Sequence, residues 1–257
     1  MTIRRTASLL LPLLLATACA HRPSASGEAA HWSNAGQMVL VTTADWDAKT
    51  GTLRYYQRDG AGWKQVGDAF DVTVGRTGTA WGIGLHAARD DGPVKREGDG
   101  KAPAGVFAIG TAFGYAPTAR TGLDYKGMGA NDWCIDVPES PMYNRIVDRS
   151  VAKAAGLDKS SEPMRRDIHE NGDQRYREGF VIEHNANGAV ANGGSCIFAH
   201  LWKAPGEATA GCTAMAPGDM APLLAWLDAR QHPVFVELPQ AQYARLRTAW
   251  NLPEIAP

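Results

Sequence analysis

A cysteine in a turn of small residues, and a histidine twelve positions before it, are the residues of this chain best suited to acyl transfer. Thr209-Ala210-Gly211-Cys212-Thr213-Ala214-Met215 puts little bulk around the thiol. Gly211 permits a tight or left-handed backbone that would expose the sulfur and leave N–H groups free for an oxyanion. His200 ends the apolar run Cys196-Ile197-Phe198-Ala199, so a strand there would deliver an imidazole. Only a thiolate attacks, so the cysteine needs a base. Cys212 is therefore read as nucleophile and His200 as the base that later protonates the leaving amine. No acidic residue is an evident orienter in sequence, so a backbone carbonyl is the expected holder of the second ring nitrogen. A buried turn cysteine with a strand-capping histidine is the alternative. His86, His169, His184 and His200 lack the HExxH pattern and paired-ligand spacing, so neither metal nor cofactor is expected.

The elements that must position this pair are mostly strands. Residues 37–43 are rich in β-branched side chains, and 51–58 and 62–66 flank Asp59-Gly60 as hairpin partners. Residues 70–75 continue the meander, and 106–109 follow a glycine-rich turn, 98–105. That turn lacks the GK[ST] of a phosphate loop. Residues 113–170 read as irregular loops over the sheet. Residues 180–184 and 195–200 are expected to pair antiparallel, with His184 facing the Cys196 region. A helix from about Asp219 to Ala229, a strand at 233–238 and a short helix at 239–250 close the chain. High glycine and proline content with no long amphipathic helix before residue 219 points to a mainly β fold with many turns.

The amino terminus gives an address. Arg4 and Arg5, then Leu9 to Leu15, then Ala16-Thr17-Ala18 form a signal peptide over residues 1–18. A cut before Cys19 would make that residue the lipidated end of a lipoprotein; ordinary cleavage near Ala18 or Ala20 is the alternative. Residues 19–36 are small and polar, as in a tether, and 37–257 suffice for one domain. The expected location is the periplasm, with a lipid anchor in a membrane facing it. Net charge is −1 with the two signs interspersed, so no basic surface argues for nucleic acid. With Cys19 and Cys212 assigned, Cys134 and Cys196 remain, and export permits a disulfide between them. Two buried apolar thiols are the other reading. Oligomeric state is not legible.

The strand ending in His200 followed by Thr209-x-Gly211-Cys212 resembles the catalytic domain of the L,D-transpeptidases (YkuD-type), whose motif runs His, a variable stretch, then Ser/Thr-His-Gly-Cys-x-Arg. The segment Gly98–Gly105 before Val106-Phe107 is also similar, and the likeness spans about residues 37–238. Ala210 stands where the motif has histidine, Ala214 where it has arginine, and the His–Cys spacing is short, as in a divergent branch. The resemblance implies a β-sandwich or barrel with a few short helices. It also implies peptidoglycan stem peptides as substrate, a thioester on Cys212 at the diaminopimelate carbonyl, and an amine acceptor giving a 3→3 cross-link. Water as acceptor would make an L,D-carboxypeptidase; a catalytically silent wall-binding lipoprotein is the alternative from another class. Thr209 matches the motif as a substrate-side residue. Arg145 and His184, with Tyr143 and Asn144 beside them, are the candidates to replace the missing arginine.

Overall fold

The computed structural model describes residues 29–255; the expected signal peptide and Cys19 lie outside them. Short runs of β-branched and aromatic residues give strands β1 (Gln37–Thr43), β2 (Thr50–Asp59), β3 (Gly62–Thr73), β4 (Thr79–Trp81) and β5 (Ala102–Gly114). Next come β6 (Tyr125–Gly127), β7 (Asp132–Cys134), β8 (Ile146–Asp148), β9 (Glu162–Pro163) and helix α1 (Arg166–His169). The chain ends with β10 (Glu178–Ile182), β11 (Phe198–Leu201), β12 (Thr213–Met215), α2 (Pro217–Trp226), β13 (Val234–Pro239) and α3 (Gln240–Leu246).

Eight strands close on themselves in the circuit β1–β2–β3–β12–β11–β10–β5–β13, and β13 returns to β1 in parallel. Closure removes free edges from that circuit. The fold is thus mainly β, a barrel-like sheet with few helices. Both faces of β1 are buried, with side chains alternating between two cores. Val39 and Val41 join Leu53, Phe107, Phe180 and Phe235, to which α2 adds Met220, Leu223 and Leu224. Met38 and Leu40 join Trp81, Val236 and Trp250 on the opposite face. Trp32, from the stretch expected to be a tether, is buried there and donates its Nε1–H to the Trp250 carbonyl at 3.3 Å.

Two expectations about the strands need revision. The pieces at 62–66 and 70–75 are one strand, β3, kinked where Gly67 adopts φ +69° and the β2–β3 register shifts. The segment expected to be irregular carries a three-stranded sheet, β8–β7–β9. Strands of two or three residues are too short to show alternation in sequence. This small sheet is joined to the barrel by a disulfide between Cys134 and Cys196, with Cα atoms 5.9 Å apart. The bridge spans 62 positions of chain, worth about 4 kcal/mol on the chain-entropy account.

Candidate active site

Thr209 shapes the turn that carries the thiol. Its hydroxyl donates to the Cys212 carbonyl at 2.6 Å and accepts the Gly211 N–H at 3.0 Å. Gly211 has φ +151°, and a Cβ there would sit 2.9 Å from the Lys101 carbonyl oxygen, so the position excludes a side chain. The Gly211 N–H, expected to be free for an oxyanion, is therefore occupied by Thr209. Nor is the sulfur exposed: Cys212 keeps only 8% of its surface. Its Sγ accepts the Phe198 N–H at 3.4 Å and donates to the Cys196 carbonyl at 3.4 Å. Cys196 is held at φ +56°, between its disulfide and a hydrogen bond from its N–H to Asn144 Oδ1 at 2.9 Å.

The parallel pairing of β11 with β12 sets Ala199 beside Thr213 and His200 beside Ala214, bringing the strand of His200 beside the residues that follow Cys212. His200 Nδ1 lies 2.7 Å from the Leu201 carbonyl oxygen. A carbonyl only accepts, so Nδ1 carries the proton and Nε2 keeps its lone pair. The orienter is the backbone of the next residue. His200 and Cys212 line one cavity of about 340 Å³. Burial pushes the thiol up to about 12, helped by the Glu162 charge and opposed by the Phe198 N–H, Lys95 and Tyr176. Burial also pulls His200 down to about 4. Both shifts favour the neutral forms, so the resting pair is thiol and imidazole rather than thiolate and imidazolium.

The cavity's other wall comes from the segment around the small sheet. Tyr176, 4% exposed, sets its ring edge-on to His200 with centroids 5.1 Å apart and lines the cavity together with Glu162 and Cys212. Arg166 donates to Glu162 at 3.1 Å and to Asp173 at 3.0 Å, and Arg175 donates to Asp173 at 2.6 Å. Two arginines hold the Asp173 carboxyl far below the usual range. The sequence reading missed these residues; the run Arg165-Arg166 through Arg175-Tyr176-Arg177 was the available signal. At the rim stands Arg76, exposed, whose guanidinium forms no ion pair among the described residues.

The other expected substrate residues are not gathered here. His184, Asn144 and Arg145 line a separate cavity of about 360 Å³ with Cys134, Glu183 and Phe198. His184 Nδ1 accepts the Ile83 N–H at 3.2 Å and its Nε2 lies 3.0 Å from the Gly193 carbonyl oxygen. Asn144 donates to the carbonyls of His184 and Asn185 at 2.8 and 2.9 Å. The Tyr143 hydroxyl donates to Glu97 and accepts the Gly194 N–H at 3.1 Å. Chain neighbourhood grouped these residues in sequence, but none of them lines the Cys212 cavity; Tyr143 meets its wall through Glu97, and Asn144 accepts the N–H of Cys196.

Comparison with known proteins agrees with this geometry. Searches of curated proteins and of solved structures find no significant match. A scan of protein families matches the L,D-transpeptidase catalytic domain (YkuD) over residues 41–236, from within β1 to within β13. That match takes in both cavities and most of the chain. With this match, the closed β circuit and the His200–Cys212 cavity in place, the chain belongs to the L,D-transpeptidase catalytic-domain family.

Proposed function

We propose that the protein is a cysteine-dependent L,D-transpeptidase that works on peptidoglycan stem peptides after export. The observation that carries this reading is the pinned His200 ring, whose unprotonated Nε2 shares a cavity with the Cys212 thiol. In the first half-reaction the thiol proton passes to His200 Nε2 and the sulfur attacks the carbonyl at the L-centre of diaminopimelate. The carbonyl–nitrogen bond then breaks, His200 protonates the departing D-alanine amine, and a thioester remains on Cys212. An acceptor amine attacks the thioester, gives its proton to His200 and releases the sulfur, which recovers that proton. Backbone N–H groups of the 210–213 turn other than that of Gly211 would hold the oxyanion.

The motif's missing arginine needs a substitute. Arg166 and Arg175 are already paired with carboxylates, whereas Arg76 stands at the rim with its guanidinium unpaired among the described residues. We assign the terminal carboxylate of the stem peptide to Arg76, in place of Arg145 or His184. A membrane anchor through Cys19 would keep the domain near the wall. The test is incubation of the purified protein with disaccharide-tetrapeptide, followed by mass spectrometry. Release of D-alanine with dimer formation is expected; release without dimer would make the protein an L,D-carboxypeptidase. Absence of release, or release unchanged in Cys212→Ala, overturns the enzyme reading.

A further inference from the structure

Trp202 differs from every other tryptophan of the chain. Each of the other seven packs its ring against another ring or a guanidinium. Trp202, half-buried, has neither, and its Nε1–H meets no acceptor among the described residues. Its backbone N–H donates to the Met215 carbonyl at 2.9 Å, so the extended chain runs one residue past β11. Two residues of extended chain set its Cα about 7 Å from that of His200.

Trp202 is shared by two hollows. One, of about 570 Å³, has Arg175 in common with the Cys212 cavity and takes in Asn171, Gln174 and Lys203. The other, of about 450 Å³, lies on the face of β1–β3 that begins as core with Met38, Leu40 and Tyr56. Alternation continues that face as Thr42, Thr52 and Asp71 in one cross-strand row and Thr50 and Thr73 in the next, with Arg54 beside them. Thr73 is 1% exposed, and its hydroxyl has no hydrogen-bond partner among the described residues. A hydroxyl buried in that way costs stability until a polar group meets it. The register runs Thr73, Ala214, His200 across β3, β12 and β11, so Thr73 stands two strand spacings, about 10 Å, from His200.

An indole without a ring partner, beside hydroxyls and one charge of each sign, suits an uncharged ring that carries many hydroxyl groups. We propose that the hollows on either side of Trp202 form a glycan subsite. The indole stacks on the C–H face of an amino sugar in the strand that bears the stem peptide. The threonine face, with Asp71 and Arg54, exchanges hydrogen bonds with the sugar's hydroxyl and acetamido groups. The reach fits: diaminopimelate is the third residue of a tetrapeptide that loses its terminal D-alanine, and three extended residues span about 10 Å. With the reacting carbonyl at Cys212 and the terminal carboxylate at Arg76, the stem leads back past Arg175 to the sugar that carries it. This subsite deepens the proposed function and rests on it for the identity of the glycan.

Two measurements on the full chain, with its disulfide intact, test the subsite. In the first, isotope-labelled protein is titrated with peptide-free tetrasaccharide of the wall glycan while the tryptophan Nε1–H signals are followed by NMR. The signal missing from Trp202→Tyr identifies Trp202, and it should move most. In the second, kcat/KM for D-alanine release is compared between disaccharide-tetrapeptide and free tetrapeptide, with an expected preference of about tenfold for the former. That ratio falls to about one in Trp202→Ala and persists in Trp202→Tyr, which keeps a stacking ring. It falls about threefold in Thr73→Val, which keeps the branched shape and removes the hydroxyl. A ratio of one in the wild type, or an unmoved Trp202 signal, overturns the subsite. If the tetrasaccharide moves the Trp202 signal but the wild type releases no D-alanine from either peptide, the transpeptidase reading falls and the subsite stands.

Discussion

His184 and His200 have much in common, yet the proposed function gives only one of them a chemical role. Each follows or occupies a strand of the same antiparallel pair, each is buried, and burial pulls each down to about 4. The difference lies in the second nitrogen. His184 has both ring nitrogens engaged by backbone, at Ile83 and Gly193, and no nucleophile beside it. His200 has one nitrogen fixed by Leu201 and lines the cavity of Cys212. A displaced pKa therefore marks burial in both; on the proposed mechanism only His200, in the cavity of the thiol, takes a proton.

Catalysis should separate the two histidines most widely. His200→Gln is expected to lower kcat for D-alanine release about a thousandfold, within the range for losing a general base, while the thermal midpoint moves little. His184→Gln should leave kcat per folded molecule within a few-fold. It should lower stability by about 1–3 kcal/mol, because the Ile83 N–H or the Gly193 carbonyl loses its partner. Comparable kcat losses in both variants would erase the distinction.

The pH dependence of stability should treat them alike. His86, His184 and His200 are each lowered to about 4, so between roughly pH 6.5 and 4 the unfolded chain holds a proton at each while the folded chain does not. Stability then falls as pH falls, by up to about 4 kcal/mol per pH unit for the three. Glu237 works against this. Burial raises it to about 8, with Thr213 as its partner at 2.8 Å, so above about pH 4.5 the unfolded chain loses a proton that the folded chain keeps. Glu162 and Glu183, also raised by burial, act in the same direction as Glu237, so the net slope is smaller than the histidines' sum. Denaturant midpoints across pH should lose about 1.4 kcal/mol per unit of that slope in either histidine variant. Glu237→Gln should flatten the fall above pH 6.5.

Cys212, His200 and the strands around them are legible in the sequence, because these are local: a glycine turn, an apolar run, an alternation. The meander β1–β3 and the antiparallel β10–β11 pair follow from such patterns. The cavity's far wall does not. Glu162, Arg166 and Tyr176 reach Cys212 only because the small sheet pairs Cys134 with Glu162 and the disulfide ties Cys134 to Cys196. Strands that short carry no period, and a run of alternating charges reads as solvated loop until its partners are known. The same distance effect misplaced Arg145, a near neighbour of a structural asparagine rather than of the thiol.

The two arginines give the smallest and most specific contrast between the cavities. Arg76 reaches the rim of the Cys212 cavity because its N–H donates to the Thr209 carbonyl at 2.8 Å, tying it to the turn that carries Cys212. Arg145 is exposed beside the His184 cavity, on the far side of the disulfide. A guanidinium that binds the stem peptide's terminal carboxylate at an exposed rim contributes about 1–2 kcal/mol of binding, since water screens the pair. Arg76→Ala should therefore raise KM about tenfold with kcat nearly unchanged, the pattern of lost uniform binding. Arg145→Ala should change neither parameter by more than about twofold. The reverse order would move substrate recognition to the His184 cavity and make the Cys134–Cys196 bridge the middle of the site instead of its boundary.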